Sequence, residues 1–380
     1  MTCIFRRLAL AALSLALASL PSLGSAALVV IGQVAPYSGP LAPTGSHVGA
    51  GAQLYFDRVN AAGGIHGAKI RLITRDDGYK VPETVKLTRE LIREASPLAL
   101  VGLVGTGNVE ALVKERILEE ADIPVVGIRS GALSLVSPVV PQLFHTRASY
   151  AAEAEKIVQQ LATTGIRRVA ILYQDDPFGQ DGLSGAEKSL AAHKLELVAK
   201  APYEKNTTKV EGAVKAITAA RPQAVIMVSN TAASAEFVKQ SRAAGNDAQL
   251  LALSVTDGPQ VVKRISKEVA HGLSIVQVVP DPASRALTVA RDLQDDLKKF
   301  APKGIELNHT LLEGYIAGKV LAEGLKRAGP NPTRKKLREA LESIRDYDAG
   351  GLFIRFSPKS HSGSDFLDIT ILSREGKVLR

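Results

Sequence analysis

The chain has 380 residues, with 47 lysines and arginines against 38 aspartates and glutamates, so its formal net charge is +9. Basic residues alternate with acidic ones, as in "RKKLREALESIRD" from residue 334, which indicates a solvated helix face and not a polyanion site. Tryptophan is absent and no aromatic residues are interleaved with the cations, so nucleic acid is not an expected partner.

The beginning of the chain has the pattern of a cleaved secretory signal. An arginine pair at positions 6 and 7 precedes an apolar stretch over residues 8–20, and small residues follow before the expected start of the mature chain near Ala27. The apolar stretch is too short to span a membrane, and no later uncharged stretch reaches about 18 residues. Cys3, the one cysteine, lies ahead of the apolar stretch, which is not the arrangement of a lipid anchor. We expect an exported, soluble protein that folds without disulfides.

After the signal, short runs rich in β-branched residues alternate with amphipathic helical segments. The helical segments place apolar residues three and four positions apart, for example at Leu87, Leu91 and Ile92. This regular alternation predicts an α/β protein with parallel central sheets and helices on both faces of each sheet. The strand candidates are "LVVIGQVAP", "AKIRLITRD", "LALVGLV" and "IPVVGI", followed by "RRVAILYQ", "LELVAKAPY", "QAVIMVS" and "QLLALS".

The third strand candidate ends at Gly105, Thr106 and Gly107 and passes at once into a helical pattern. Such a turn presents unpaired N–H groups at the positive end of a helix, where an anion can bind. A dinucleotide would need a third glycine, where Glu110 stands, and an acidic residue after the next strand, where Arg129 stands. Two interpretations stay open from these residues: the carboxylate of a small ligand, or a tight turn without a ligand.

Roughly 350 mature residues exceed what one hydrophobic core usually supports, so two lobes are expected. Later in the chain, "HGLSIVQVVPDP" predicts a further strand, and "AGGLFIRFSPKSHSGSDFLDITILSREGKV" predicts two strands joined by a turn. A chain that fills one lobe, then the other, and then returns must cross between them several times, and several crossings form a multi-strand hinge. Three helices are expected between these strands, at about 283–299, 308–328 and 333–345. The predicted division is 1–26 for the signal, 27–147 with 280–349 for the N-terminal lobe, and 148–279 with 350–380 for the C-terminal lobe.

Motifs of enzymes and of metal sites are missing from the sequence. It has no G-x-S-x-G nucleophile elbow and no H-E-x-x-H zinc motif. "GYIAGKV" at 314–320 resembles a phosphate loop but is one residue short and lies inside a helical pattern. The seven histidines are dispersed without the spacing of metal ligands. We therefore expect a protein that binds a solute without transforming it, with no catalytic residues, no metal and no cofactor.

Four stretches carry a resemblance to a known family: "GQVAPYSGPLAPTGSHVGAGAQLYFDRVNAAGGIHGAKIRLITRDD", "VGLVGTGNVEAL", "RVAILYQDDPFGQDGL" and "FVKQSRAAG". Over its whole mature length the chain resembles the leucine/isoleucine/valine-binding family of periplasmic solute-binding proteins, the receptors of ABC importers. "RASY" and the glutamate that follows, at 147–153, resemble a large branch whose ligands are mostly unassigned. The resemblance implies a periplasmic binding protein type 1 fold, a periplasmic location, a small-molecule carboxylate ligand, membrane permease subunits as partners, and a monomer.

The resemblance also implies positions that contact the ligand. Thr44 stands where relatives often have an aromatic residue against the ligand side chain, and Thr106 matches a hydroxyl residue that receives the carboxylate. In the second lobe, Phe178 stands at a family tyrosine, and Asn230 falls where amino-acid binders often carry another tyrosine. The turn that lends backbone groups to the ligand's head group corresponds to Ser130, Gly131 and Ala132.

The most informative departure from the family lies in "LALSVTDGPQ". Amino-acid binders place a carboxylate there to pair the ligand's ammonium, and Val255 occupies that position. An ammonium buried against valine would lack its ion pair, at a cost on the order of several kcal/mol. Two alternatives stay open: Asp257, two residues on, pairs the ammonium instead, or the ligand is an aromatic or aliphatic acid without an ammonium.

Some of these residues also have plainer structural interpretations. Thr106 either binds the ligand or caps its helix, and Ser149 is expected to cap a helix at the hinge. Tyr150 either faces the cleft or packs against the crossing strands, whereas Phe178 lies among loop residues and is expected in the cleft wall. For the whole protein we expect a receptor that feeds an ABC importer, with a sensor that signals to a membrane receptor as the alternative.

Overall fold

The computed structural model describes residues 28–380, so the predicted signal over residues 1–26 lies outside the described residues. Within the described range, strands and helices alternate as the sequence predicts. No helix in this range is long and apolar enough to cross a membrane.

The first lobe is built on a sheet of five parallel strands. These are β1 (Leu28–Ala35), β2 (Lys69–Asp76), β3 (Ala99–Val101), β4 (Val125–Val126) and β5 (Leu143–Phe144). Their order across the sheet is β2-β1-β3-β4-β5. The connecting helices are α1 (Ala42–Ala61), α2 (Val81–Ala95), α3 (Thr106–Lys114) and α4 (Ile117–Glu120).

The second lobe is built on a sheet of seven strands. The parallel strands are β6 (Arg168–Gln174), β7 (Glu196–Tyr203), β8 (Ala224–Val228), β9 (Gln249–Ala252) and β10 (Ser274–Gln277). The helices of this lobe are α5 (Tyr150–Thr163), α6 (Pro177–Ala192), α7 (Glu211–Ala219), α8 (Thr231–Ala243), α9 (Gly258–Ile265) and α10 (Lys267–Ala270).

The remaining elements return to each lobe in turn. Three helices pack on the first lobe: α11 (Thr288–Phe300), α12 (His309–Ala328) and α13 (Arg334–Glu342). A short antiparallel pair follows, β11 (Tyr347–Asp348) and β12 (Phe353–Ile354). Two antiparallel strands complete the second sheet, β13 (Asp368–Leu372) and β14 (Val378–Leu379), and give it the order β14-β13-β10-β9-β8-β6-β7.

Both sheets are buried on both faces, as β8 illustrates. Val225 and Met227 pack into the core on one face of the second sheet, while Ile226 and Val228 pack into the core on the other face. A strand whose successive side chains are all buried has helices above and below it. The prediction of two doubly wound lobes with parallel central sheets is therefore confirmed.

Crossing segments of the chain lie side by side between the lobes. The N–H of His145, just after β5, donates to the carbonyl of His361 at 2.9 Å, and the N–H of Gly363 donates to the carbonyl of His145 at 2.7 Å. A third crossing runs from β10 to α11, where Val279 packs into the first lobe's core. Several strands of chain therefore join the lobes, as the predicted hinge requires.

The C-terminal region differs from the two strands predicted there. β12 pairs back onto β11, and Leu352 and Phe356 pack into the first lobe's core, so the chain leaves that lobe later than residue 349. The apolar pattern is then interrupted by a turn between Ser357 and Ser360 and by the crossing segment around His361 and Gly363. Only β13 and β14 reach the second sheet, because the intervening residues pair with the hinge.

A close crossing of α1 and α12 brings the start of α12 to the space between the lobes. A Cβ built at Gly51 would lie 2.1 Å from the carbonyl oxygen of Leu311, and one at Gly314 would lie 2.1 Å from that of Val48. Only glycine permits this backbone-to-backbone contact. Because of it, the first turn of α12 reaches the site described next.

Candidate functional site

Loops at the carboxyl ends of strands from both sheets meet around one small cavity. This is where open α/β sheets bind ligands. The cavity has a volume of about 10 Å³, close to the space of one water molecule. Its walls are Leu41, Thr44, Tyr79, Val104, Gly105, Thr106 and Arg129 from the first lobe, and Tyr150, Phe178, Asn230 and Val255 from the second.

The turn before α3 forms part of the first-lobe wall. Gly105 is the N-cap of α3 with φ +100°, and a Cβ there would lie 2.4 Å from the Tyr79 ring. The capping interpretation of Thr106 is wrong, because Gly105 is the N-cap, Thr106 is the first residue of the helix, and no side chain caps it. Instead, the buried Thr106 hydroxyl lies 2.8 Å from the Ser130 hydroxyl. The N–H groups of the first turn have no partner within the helix and remain available to an anion.

Some predicted positions surround the cavity without lining it. The Ser130 hydroxyl accepts from the N–H of Ala132 at 3.3 Å, and the Gly131 carbonyl accepts from the N–H of Tyr150 at 2.8 Å. A Cβ at Gly107 would lie 3.4 Å from Pro177, a residue of the second lobe. The turn at 130–132 therefore supports the cavity wall through Thr106 and Tyr150.

Aromatic side chains form the second-lobe wall. The Tyr150 and Phe178 rings are both buried, with centroids 5.1 Å apart and planes at 62°. Tyr150 lines the cavity and also packs in the core beside Arg147 of the crossing segment, so its two interpretations are compatible. Ser149, the residue before it, accepts from the N–H of Ala152 at 3.2 Å and caps α5, as predicted.

Asn230 also lines the cavity, but its amide is already engaged. It caps α8 by accepting from the N–H groups of Ala232 and Ala233 at 3.0 and 3.1 Å. Its Nδ2 donates to Gln174 at 3.1 Å. The side chain therefore orders the second lobe's strand ends and presents little free hydrogen-bonding capacity.

Val255 lines the cavity, whereas Asp257 does not. Asp257 caps α9, where it accepts from the N–H of Gln260 at 3.0 Å, and its other oxygen accepts from the Thr310 hydroxyl at 3.1 Å. Burial raises the pKa of the Asp257 carboxyl. The carboxylate thus serves the protein's own helix and the contact between the lobes.

Arg129 is the main residue that the site prediction lacks. It is 3% exposed, forms an ion pair with Glu313 of α12, and its Nη2 donates to the carbonyls of Ser254 and Val255 at 3.2 and 3.4 Å. Its Nε has no hydrogen-bond partner among the described residues. The available signal was its place directly after a buried strand, in "IPVVGIRS".

A buried network of charges extends from Arg129 to the hinge. Glu313 also pairs with Arg147 at 3.2 Å, and Arg147 pairs with Glu153 of α5 at 2.7 Å. Burial raises the pKa of the Glu153 carboxyl. Burial alone would lower the pKa of Arg147, but the two carboxylates raise it. Two arginines and two glutamates therefore form a neutral set that ties both lobes together.

The rim of the cleft is closed by a set of contacts that we name the rim clasp: Tyr79 and Asn108 of the first lobe with Lys205 and Asn206 of the second. The Lys205 ammonium lies 4.1 Å from the Tyr79 ring centroid and 3.1 Å from the Asn108 amide oxygen. The Asn206 amide donates to the Tyr79 carbonyl at 3.3 Å. Tyr79 and Asn206 have left-handed φ values of +62° and +61°, a conformation that persists where surrounding contacts impose it.

The fold and the cleft define the class of two-lobed substrate-binding proteins. The sequence profile of the family described as periplasmic binding protein matches residues 29–372, and the chain belongs to this family. Its relatives are substrate-binding proteins, and the chain is not an enzyme. Within residues 28–380, no three histidine, aspartate, glutamate or cysteine side chains come together as metal ligands.

Individual relatives are similar to the chain to different extents. The Leu/Ile/Val-binding protein homolog 8 of Brucella suis is 28% identical over 245 residues, which are 62% of this chain and 60% of that relative's length. The crystal structure of a substrate-binding periplasmic protein from Ralstonia solanacearum is 39% identical, with a TM-score of 0.89, and the match covers 92% of this chain and 99% of that one. A solute-binding protein of an ABC transporter from R. palustris, in complex with benzoate, shares the fold at 21% identity and a TM-score of 0.79, over 93% and 95% of the two chains.

Proposed function

We propose that the chain is a periplasmic receptor of an ABC importer and that it captures a small carboxylate-bearing solute in the cleft between its lobes. The solute is a branched-chain or other amino acid, or an aromatic or aliphatic acid. The proposal includes the predicted division into an N-terminal lobe, 27–147 with 280–349, and a C-terminal lobe, 148–279 with 350–380. Since Phe356 packs in the core of the N-terminal lobe, the last crossing to the C-terminal lobe follows Phe356. Relatives named for leucine, isoleucine and valine, and one bound to benzoate, support this range of ligands.

The observation that carries the proposal is a buried cation beside helix-start N–H groups at the junction of the lobes. Arg129 and the turn at Gly105 and Thr106 share one wall of the cavity. A carboxylate there would accept from the guanidinium and from the amides, at roughly 1.5–3 kcal/mol for each hydrogen bond to a charged group. Micromolar affinity corresponds to about −8 kcal/mol, so these bonds would supply a large share of it.

Entry of the solute requires the lobes to separate. A cavity of about 10 Å³ admits no organic acid. Because its walls belong to both lobes, rotation about the hinge enlarges it, and closure afterwards encloses the solute. The rim clasp and the buried charge network would hold the closed form.

Calorimetric titration of residues 27–380 tests the binding proposal. The panel consists of L-leucine, L-valine, L-phenylalanine, benzoate and succinate, and at least one should bind with a stoichiometry of one and a micromolar Kd. Leucinamide and benzamide are the matched controls, because they keep the body of the ligand and lose the carboxylate, and neither should bind. A panel without any binding, or amides that bind as well as acids, would refute the proposal.

The importer role is tested in the living cell. A deletion strain should lose uptake of the solute that calorimetry identifies, and the wild-type gene should restore it. Unchanged uptake together with the loss of a transcriptional or chemotactic response to that solute would favour the sensor alternative. A monomer is sufficient for either role, because both walls of the cavity come from one chain.

A further inference from the structure

We propose that the ligand is a carboxylic acid without an ammonium group and that Arg129 sets this specificity. The inference rests on the proposed function and narrows its range of ligands. It follows from the charges around the cavity, from the groups that engage the nearby carboxylates, and from the Arg129 Nε, which has no hydrogen-bond partner among the described residues.

The lining of the cavity contains a single kind of charge. Among its eleven residues, Arg129 is the only one that carries a charge near neutral pH. An ammonium placed there would be desolvated and would face a guanidinium, with Val255 at the position where a carboxylate would be needed. Burial of an unpaired cation beside a second cation is strongly unfavourable. A carboxylate at the same place can accept hydrogen bonds from the guanidinium, whose Nη1 pairs with Glu313.

The carboxylate that pairs with Arg129 and the one linked to it through Thr310 are both engaged by groups of the protein. Glu313 lies between Arg129 and Arg147 and pairs with both. Asp257 caps α9 and accepts from Thr310, which itself accepts from the Arg129 Nη2 at 3.2 Å. Neither carboxylate lines the cavity. An ammonium could pair with one of them only by taking it from an arginine or from a helix end.

One edge of the Arg129 guanidinium is available to a ligand when the lobes separate. Its Nε has no partner among the described residues, although the side chain is almost completely buried. Its Nη2 donates across the cleft to the carbonyls of Ser254 and Val255, and these bonds are lost on opening. Nε and Nη2 together form the edge of the guanidinium that binds a carboxylate through two parallel hydrogen bonds. A carboxylate would therefore replace two main-chain carbonyls of the opposite lobe.

The rest of the lining favours an apolar or aromatic body on the acid. Tyr79, Tyr150 and Phe178 present three rings from the two lobes, and Leu41 and Val104 add aliphatic surface. Asn230, the amide in the wall, is committed to its helix cap. Flat aromatic faces and aliphatic groups stabilise a ligand body through burial of apolar surface.

The experiment compares acids that differ only by the ammonium. The mature chain is titrated calorimetrically with 3-phenylpropanoate against L-phenylalanine and with 4-methylpentanoate against L-leucine. In each pair that binds, the acid without an ammonium should bind at least tenfold more tightly. An amino acid that binds as tightly as its partner, or more tightly, overturns the inference but leaves the proposed function standing. If none of the four binds, binding of benzoate or succinate without L-valine supports the inference, whereas binding of L-valine alone overturns it and leaves the proposed function standing. If no acid of the panel binds, both fall.

Substitutions at two positions locate the cause of the preference. Val255→Asp supplies the missing carboxylate and should raise the affinity for L-phenylalanine at least tenfold, whereas Val255→Asn, of similar size and uncharged, should not. Equal effects of the two substitutions would contradict the role of charge.

Arg129→Lys keeps the charge paired with Glu313 but cannot donate two parallel hydrogen bonds from one planar edge. It should weaken the binding of 3-phenylpropanoate at least tenfold. Circular dichroism and thermal melts establish that each variant is folded, and a folded Arg129→Lys variant with unchanged affinity would remove Arg129 from the site.

Discussion

Thr106 is the residue at which a binding role can be separated from a structural one. Its hydroxyl is buried, lines the cavity and lies 2.8 Å from the Ser130 hydroxyl. A threonine that only supported the fold would affect stability when the hydroxyl is removed. One that also receives the ligand's carboxylate would affect affinity in addition, because a hydrogen bond to a charged group contributes roughly 1.5–3 kcal/mol.

We expect Thr106→Val to weaken binding of the tightest carboxylate about tenfold or more while the protein stays folded. Calorimetry gives the affinity, and a thermal melt gives the stability. Thr88→Val is the matched control, because Thr88 is also buried but its hydroxyl has no partner among the described residues. That control should leave the affinity unchanged. Unchanged affinity in Thr106→Val would exclude Thr106 from the binding site.

His309, at the start of α12, makes stability depend on pH. Burial, with a further contribution from Arg129, lowers its pKa from 6.5 to about 3. A folded-state pKa below the ordinary value means that the histidine stabilises the fold while it is neutral. This contribution is fully present above about pH 6.5 and is lost at about 1.4 kcal/mol per pH unit as the pH falls toward the folded pKa.

The free energy of unfolding should therefore fall between pH 7 and pH 5, and His309→Gln should reduce that fall by about 2 kcal/mol. Urea denaturation at the two pH values measures the difference. His271→Gln makes the same substitution at an exposed histidine and serves as the control for the exchange itself. An identical fall in His309→Gln would show that His309 does not titrate on unfolding in this range.

At the level of single residues, the sequence predicts some site positions and misses others for a physical reason. Gly105, Thr106 and Phe178 stand in local patterns, and all three line the cavity. The contacts of Arg129 depend on Glu313, 184 positions away, and on carbonyls of the opposite lobe. No local spacing reveals partners at such separations, so Arg129 appeared in the sequence only as a residue unsuited to a nucleotide.

At the level of elements, the contact between α1 and α12 positions Glu313, the residue that pairs with Arg129 of the cavity wall. Gly51 and Gly314 let the two backbones approach closely, and this positions Glu313 beside Arg129. Gly314 lies within the motif that resembles a phosphate loop, and its position in α12 explains that glycine by helix packing. Added volume at such a contact has to push two backbones apart.

We expect Gly314→Ala to destabilise the protein by about 1–3 kcal/mol, because the new Cβ would lie 2.1 Å from the Val48 carbonyl oxygen. Gly212→Ala is the matched control, since Gly212 lies in helix α7 and a Cβ there meets nothing within 4 Å. The control should be neutral or stabilise by about 0.5–1 kcal/mol. Equal stability of the two variants in chemical denaturation would contradict the close-packing explanation.

Elements with strong helical periodicity are predicted well, whereas those that depend on remote pairing are not. The helix expected at 308–328 is His309–Ala328, because capping by Asn308 and a following Gly329 mark its ends in the sequence. The helix expected from 283 begins only at Thr288, after a turn in which the Ser284 N–H donates to the Asp281 carbonyl. β12 and β13 belong to different lobes although they follow one another, and only tertiary pairing separates them.

At the level of the whole molecule, length and the alternating pattern predict two lobes, and the returning chain predicts the hinge. The closed arrangement could not be predicted, because it depends on contacts between loops of different lobes. The rim clasp and the buried network of Arg147, Glu153 and Glu313 are such contacts. They imply that opening must break several polar contacts at once, so these contacts supply part of the energy of closure and the bound solute adds to it.

The most direct test of trapping between the lobes is a distance measured across the rim with and without ligand. Residues 27–380 contain no cysteine, so in that stretch of the chain Lys86→Cys and Lys209→Cys can carry spin labels on exposed positions of the first and second lobes. Double electron–electron resonance should show a broad or long distance without ligand and a single, shorter distance with a saturating carboxylate that calorimetry has shown to bind. The same distance distribution in both conditions would contradict capture by closure of the two lobes.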